Sequence, residues 1–282
     1  MRLIVHLGLH KTASTNLQHV LHDHRAALES RGVFYQANPD FAAHHDVAWR
    51  LLDGDPSLLE ALLAEARARG CDRAILSSED LEGVLFDQAP ARLIEATAAR
   101  AAAAVEWHVV LREPGACFAS LHAQLQWHVY ADALVMFAEI MNKGGLYMHD
   151  PAPAWGGTPF WYYSFDHVRD LHALARAIGQ PPIVHDYADD RPFPGWRLLE
   201  RLDVLDLVAR LPGEMGQNRR HPADAVRSGY RARISEAGGE LLLDYVEAAV
   251  AASMAAVPHC AGLIGERFAA SHAQALAQFP RC

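Results

Sequence analysis

Apolar and polar positions along this chain change period repeatedly, and each change marks an element. "RLIVHLG" (residues 2–8) is a short unbroken apolar run that stops at Gly8, as expected of a buried strand. The next stretch, "STNLQHVLHDHRAALESRG", places Leu17, Val20, Leu21 and Leu28 at helical intervals and predicts a helix ending at Gly32. "VFYQ" reads as a short strand or an extended turn. "SLLEALLAEARARG" predicts a helix with Gly70 at its end, "RAILSSED" a strand, and "APARLIEATAARAAAAV" a further helix. "EWHVVLREP" is a strand broken at Pro114, and "GACFASLHAQLQWHV" is the helix after it. "SFDHVRDLHALARAIG" and "PIVHDY" repeat the helix–strand sequence once more.

Alternation of this kind predicts parallel strands with helices on both faces of the sheet. Right-handed crossovers would then gather the loop-bearing strand ends along one edge. From Trp196 onward the pattern turns helical, "DAVRSGYRARISEAGGELLLDYVEAAVAASMAAV" being its longest piece. Residues 142–159, rich in Gly, Pro and aromatics, predict a long loop or lid beside the sheet. The expected fold is one α/β domain over residues 1–282, a three-layer parallel sheet flanked by helices, with 196–282 a mainly helical C-terminal portion.

Composition narrows the partners. At 282 residues and 51% hydrophobic the chain can bury a large core, and its net charge of -9 would repel a nucleic acid or another polyanion at long range. Cys71, Cys117, Cys260 and Cys282 show neither CxxC spacing nor the density of a disulfide framework, which suits a reducing compartment. No signal-peptide pattern opens the chain, and no apolar run reaches about 18 uninterrupted residues. The expectation is a cytoplasmic protein without a membrane span.

Chemistry concentrates in "LGLHKTASTNLQ". A Walker A loop would need glycines one and six positions before Lys11, where His10 and Val5 stand. The anion physics remains. Gly8 ends the strand, and backbone N–H groups from Thr12 through Ala13, Ser14 and Thr15 to Asn16 would point outward at a helix start. Ser14 and Thr15 add hydroxyls and Lys11 a full charge; the plain alternative is an ordinary capped helix start. A second anchor is "REPGACFAS", where Arg112 ends a strand and Ser120 follows eight residues later on a helix. Together they can grip a phosphate from two sides; singly, each reads equally well as structural.

These two segments resemble the sulfotransferases that use 3'-phosphoadenosine-5'-phosphosulfate (PAPS), whose PK[ST]GTT-like loop and RxPxxxxxS-like strand–helix match "HKTAST" and "REPGACFAS". "KTAST" is also similar to the loop of hexuronyl 2-O-sulfotransferases. "LIVHLGLHKTASTNLQ", "AHHDVAWRLL", "ILSSEDLE" and "HVVLRE" resemble bacterial sulfotransferases. The likeness covers the first half of the chain well, the helical C-terminal part poorly, and departs at His10 (usually proline) and Ala13 (usually glycine). It implies a P-loop-like sulfotransferase fold and transfer of a sulfuryl group from PAPS, leaving PAP, to a hydroxyl, less readily an amine, of a carbohydrate or small metabolite. Lys11 would then meet the leaving phosphate, the loop from Thr12 to Asn16 would hold the 5'-phosphate, and Arg112 and Ser120 the 3'-phosphate, with no metal required.

A base must relieve the attacking group of its proton. "NPDFAAHHDVAW" offers His44 and His45, with the choice leaning to His45, and "SSED" offers Glu79; all three stay open. "GQNRRHP" places Arg219 and Arg220 in a basic loop, which reads first as a solvated turn and, by the resemblance, as help for the 3'-phosphate. The aromatics Tyr147, Trp155, Phe160, Trp161, Tyr162 and Tyr163 would line an acceptor pocket or sit in the core. Two rival functions remain: a nucleotide-dependent kinase or NTPase with a degenerate loop, using Asp80 or Glu79 with magnesium, and a non-catalytic PAPS- or PAP-binding relative.

Overall fold

The apolar run at the start forms β1 (Arg2–Gly8), in which every residue after Arg2 is buried. Its side chains alternate between two cores, as the two-residue period of a strand requires. Leu3, Val5 and Leu7 join one cluster and Ile4 the other. The computed structural model describes residues 1–38, 40–128, 132–149, 157–208 and 243–282.

After β1 come α1 (Ser14–Asp23), α2 (Arg25–Ser30), β2 (Val33–Tyr35), α3 (His45–Leu52), α4 (Ser57–Ala68) and β3 (Arg73–Ser77). A 3-10 helix (Glu79–Leu85), α5 (Ala89–Arg100), β4 (Ala104–Leu111), α6 (Pro114–His128) and α7 (Ala133–Lys143) follow. The chain continues through β5 (Gly145–His149), β6 (Phe160–Ser164), α8 (His167–Ile178), β7 (Ile183–Asp186), α9 (Trp196–Arg201), α10 (Leu205–Val208) and α11 (Leu243–Gln278). Five parallel strands order as β2-β3-β1-β4-β7, and β5 pairs with β6 as a separate antiparallel ribbon. The fold is α/β, with helices on both faces of the sheet.

The helices divide by face. Leu17, Val20 and Leu21 of α1 and Leu198 and Leu199 of α9 pack under Ile4 and Ile75. On the opposite face Val47, Leu62, Ile94 and Leu171 from α3, α4, α5 and α8 pack against Leu3, Val5 and Val109. The connection leaving β1 therefore departs toward one face while those leaving β2 and β3 depart toward the other. Open α/β sheets place their ligands where such connections part, at the carboxyl ends of the strands. The β1–β4 register also slips between His6 and Gly8, a bulge that re-aims the chain as it enters the loop.

A third cluster joins α6, α7 and α11 through Phe118, Leu121, Met136, Ile140, Cys260, Ile264 and Phe268. By length and composition the helix segment Glu247–Gln278 could cross a membrane; here its apolar stripe packs on α6 and α7. The chain end pairs with the edge strand, Val184 N–H donating to the Pro280 carbonyl at 2.7 Å.

Several boundaries differ from the sequence reading. The first predicted helix is two, divided at His24. The stretch 142–159, expected as a lid, opens with the end of α7, a helix the sequence pattern does not predict, and continues as β5; its partner β6 takes Ser164 from the predicted next helix. The tract at 224–242 of the predicted long helix lies outside the described residues, as do Trp155, Arg219 and Arg220.

Candidate functional site

Between β1 and α1 the backbone leaves the ordinary regions. Leu9, Lys11 and Ala13 hold φ of 45°, 66° and 60°, with His10 and Thr12, which do not, between them. A left-handed conformation costs an L-residue roughly 1–2 kcal/mol, so three in five positions are expensive. Alternating hands turn successive N–H groups toward one concave side, the arrangement known as an anion-binding nest. The N–H groups of Lys11, Thr12 and Ala13 meet no acceptor among the described residues.

Neighbours hold the loop in this shape. Thr12 Oγ1 donates to the Leu9 carbonyl at 2.7 Å, so its hydroxyl proton braces the turn. Arg112 Nη1 donates to the Lys11 carbonyl at 2.6 Å from the end of β4, and its guanidinium lies 4.9 Å from the Tyr187 ring centre. Cys117 of α6 approaches the His10 carbonyl at 3.9 Å. On the far side the His10 N–H and ring Nδ1 both reach Glu82 Oε2 at 2.8 Å. Glu82 Oε1 in turn accepts from Ser164 N–H of β6 at 2.6 Å, so one buried carboxylate ties the loop to the ribbon.

His10 is charged. Burial alone would lower its pKa, but hydrogen bonds and charges from Asp80 and Glu82 outweigh that and raise it to about 10. Lys11 is half-buried, and burial lowers the pKa of its ammonium, with the Arg112 charge adding to the fall. Among the described residues no carboxylate lies within ion-pair distance of Lys11. A half-desolvated cation beside unpaired N–H groups favours an incoming anion.

The two adjacent histidines separate here. His44 precedes α3 as its N-cap residue with both ring nitrogens engaged: Nδ1 accepts from Ser77 N–H at 3.1 Å and Nε2 donates to the Gln36 carbonyl at 3.3 Å. Burial holds its pKa down at about 4, and it staples α3 to β3 as a neutral ring. His45 is a fifth exposed, and its Nδ1 lies 2.8 Å from Asp80 Oδ2 and 3.1 Å from Ser78 Oγ. Trp49 stacks on it at 5.9 Å and the exposed Phe41 meets it edge-on at 5.3 Å. Burial opposes its charge, but the Asp80 hydrogen bond and the charges of Asp80 and Glu79 raise its pKa.

Glu79 opens the 3-10 helix and accepts from Gln18 Nε2 of α1 at 2.8 Å, reaching toward the loop's helix. Ser14 is buried in the first turn of α1, with Thr15 and Asn16 half-buried beside it. Ser120 is half-buried on the second turn of α6. The N-terminus of α6 is not open to an anion, because Glu113 accepts from Gly115 N–H at 2.8 Å and Ala116 N–H at 2.6 Å. Of the aromatics, Tyr162 and Tyr163 are core, the latter edge-on to His10 at 4.8 Å, while Tyr147 is exposed against Phe86 and Phe160.

The sequence pattern sets Lys11, the loop, Arg112, His44, His45 and Glu79 at one sheet edge, and the structure adds the buried pair that ties the loop down, His10 and Glu82. His10 stood only as a departure from a motif, and Glu82 was not singled out. Three carboxylates in "SSEDLE" directly after a strand were the available signal. Against protein-family models, curated proteins and solved structures, this chain has no match.

Proposed function

We propose that the chain is a PAPS-dependent sulfotransferase of P-loop-like fold, acting on a hydroxyl of a carbohydrate or small metabolite. The observation that carries this reading is the strained nest at residues 8–13, with Lys11 and the Arg112 guanidinium converging on it. A cradle of three unpaired N–H groups and one lysine suits a single phosphate diester-like group better than a triphosphate. PAPS would supply an activated sulfuryl group whose departure leaves charge on the 5'-phosphate oxygen. The N–H groups of Lys11, Thr12 and Ala13 would hold that phosphate, and the Lys11 ammonium would stabilise the growing charge. Arg112, with one of its five N–H donors on Lys11, keeps others for the 3'-phosphate, with Ser120 as its partner. His45, oriented through Nδ1, would take the acceptor's proton at Nε2.

The kinase reading would give magnesium to Asp80 or Glu79, and Glu79 already accepts from Gln18 Nε2 at 2.8 Å. Asp80 Oδ2 already accepts from His45 and from Trp49 Nε1 at 2.6 Å, and Oδ1 lies 3.5 Å from His10 Nε2, which weighs against that use. Calorimetry with PAP, and separately with ATP and magnesium, tests the choice. Tight metal-independent PAP binding is expected, and ATP–magnesium binding without PAP binding would overturn the reading. Lys11→Ala should lower kcat for sulfuryl transfer about 10²–10³-fold. An unchanged rate would leave the non-catalytic binder as the better account.

A further inference from the structure

Three side chains, His45, Trp49 and His10, close on the carboxylate of Asp80. It is nearly buried, and its Oδ2 accepts at 2.8 Å from His45 Nδ1 and at 2.6 Å from Trp49 Nε1. Its Oδ1 faces His10 Nε2 at 3.5 Å, an ion-pair distance, and its own N–H is capped by Ser78 Oγ at 3.2 Å. An ionised carboxylate only accepts, so His45 must carry a proton on Nδ1, and in the neutral ring the lone pair is then confined to Nε2. Trp49 stacks on the ring and Phe41 closes its edge, leaving little freedom to rotate.

We infer that Asp80 is a positioning residue that fixes the tautomer and orientation of His45 and, through His10, couples that ring to the anion-binding loop. The inference rests on the proposed transfer for its chemistry, but its geometry stands without it. In the reaction, His45 Nε2 accepts the proton of the acceptor hydroxyl as its oxygen forms the new O–S bond. The old bond from sulfur to the 5'-phosphate oxygen breaks, and that oxygen keeps the electron pair beside Lys11. Asp80 stays ionised throughout and compensates the imidazolium that forms. A hydroxyl gains more from such a pair than an amine does, because a neutral amine attacks without prior loss of a proton. The device therefore favours an alcohol or phenol as acceptor.

The chain through His10 adds a link between the two half-sites. His10 contributes its N–H, ring and carbonyl to the loop's surroundings, and its charge faces Asp80. An anion seated in the loop adds negative charge near His10 and His45 together, which stabilises both imidazolium forms. The charged or titratable groups around His45 are Asp80, Glu79, His10 and His44.

The test is a pH titration of the His45 ring by nitrogen-resolved NMR in wild type and Asp80→Asn, with and without PAP. In wild type the neutral ring should be the Nδ1–H tautomer, titrating above the ordinary histidine value and higher again with PAP. Asp80→Asn should lower the His45 pKa by one unit or more and admit the second tautomer. For turnover, it should cut kcat roughly 10²-fold and move the acidic limb of kcat/KM to lower pH by the same shift, with PAP affinity changed less than about threefold. Should Asp80→Asn not fold, Trp49→Phe keeps the carboxylate, removes one donor, and should raise the His45 pKa. A His45 titration and tautomer unmoved in the folded variants would overturn the inference. If the ring responds as described while PAP fails to bind, the transfer reading falls and the Asp80–His45 pair stands.

Discussion

Arg112 Nη1 donates to the carbonyl oxygen of Lys11 at 2.6 Å, so one guanidinium holds the loop from the neighbouring strand. The same group stacks near Tyr187, whose own N–H donates to the Leu111 carbonyl at 2.9 Å. Under the proposed donor binding, arginine suits this position because its planar fork can brace a carbonyl with one N–H and present others to a phosphate. Arg112→Lys keeps the charge but loses the fork and the flat stacking surface. PAP affinity should fall by about tenfold or more, a loss of roughly 1.4 kcal/mol, as read by calorimetry. Affinity within twofold of wild type would reduce Arg112 to a point charge.

Ala13 offers a cleaner test of the loop. Its φ of 60° lies in the region that glycine occupies without steric cost. Ala13→Gly removes the Cβ clash and also loosens the unfolded chain, and the first effect should win at a left-handed position. The expected gain is about 0.5–1 kcal/mol in chemical denaturation, with PAP binding equal or tighter. A net loss of stability would show that the methyl packs usefully against the helix start.

Stability should fall on both sides of neutral pH, for different histidines. His6, His44 and His167 are buried neutral, with pKa values lowered to about 3, 4 and 3 chiefly by burial. The unfolded chain titrates these groups near 6.5, so it binds protons that the folded chain refuses, and stability drops as pH falls from about 6.5 toward 4. His10 works in the opposite sense. Its pKa is raised to about 10, so its contribution is complete below about 6.5 and is lost as pH rises toward 10. Calorimetric melting from pH 4.5 to 9.5 should show a maximum near neutrality. His10→Gln should flatten the alkaline limb and leave the acidic one in place.

Much of this architecture can be read from local pattern. The short run at 2–8, stopped by Gly8, reads as a buried strand by its length and flank, and Pro114 after Arg112 marks a strand end whatever the function. The remainder depends on contacts or on turns without a local signal. α5 ends at Arg100 with Ala102 at φ 45° and Ala103 N–H donating to the Ala98 carbonyl at 2.8 Å. That is a glycine-type helix stop built from alanine, so the alanine run hides it. The β5–β6 ribbon is hidden because the Gly and Pro of 142–159 read as loop, and the short apolar stretch at 145–149 becomes a strand only by pairing with 160–164. His10 and Glu82 are 72 residues apart, and only folding shows that this histidine is held as a cation by buried carboxylates. His44 and His45 have the same chemistry in sequence; burial and a strand N–H make one structural, and Asp80 orients the other.

Gly115 and Gly262 give the final prediction, a matched pair on two packed helices. A Cβ on Gly115 would lie 2.3 Å from the Ala261 carbonyl oxygen and 3.2 Å from Glu113 Oε1, both in tightly packed surroundings. A Cβ on Gly262, one residue beyond Ala261 in α11, would meet nothing within 4 Å. Gly115→Ala must push α6 off α11 at the turn that carries Cys117 against the His10 carbonyl and follows Arg112 directly. It should cost about 1–3 kcal/mol by overpacking and weaken PAP binding through the displaced loop brace. Gly262→Ala should instead stabilise α11 by about 0.5–1 kcal/mol through helix propensity and leave PAP binding unchanged. Parallel denaturation curves and calorimetric titrations separate the two. If Gly115→Ala lowers stability while PAP affinity holds, the α6–α11 contact supports the fold alone and the loop is braced by Arg112 and Glu82 without it.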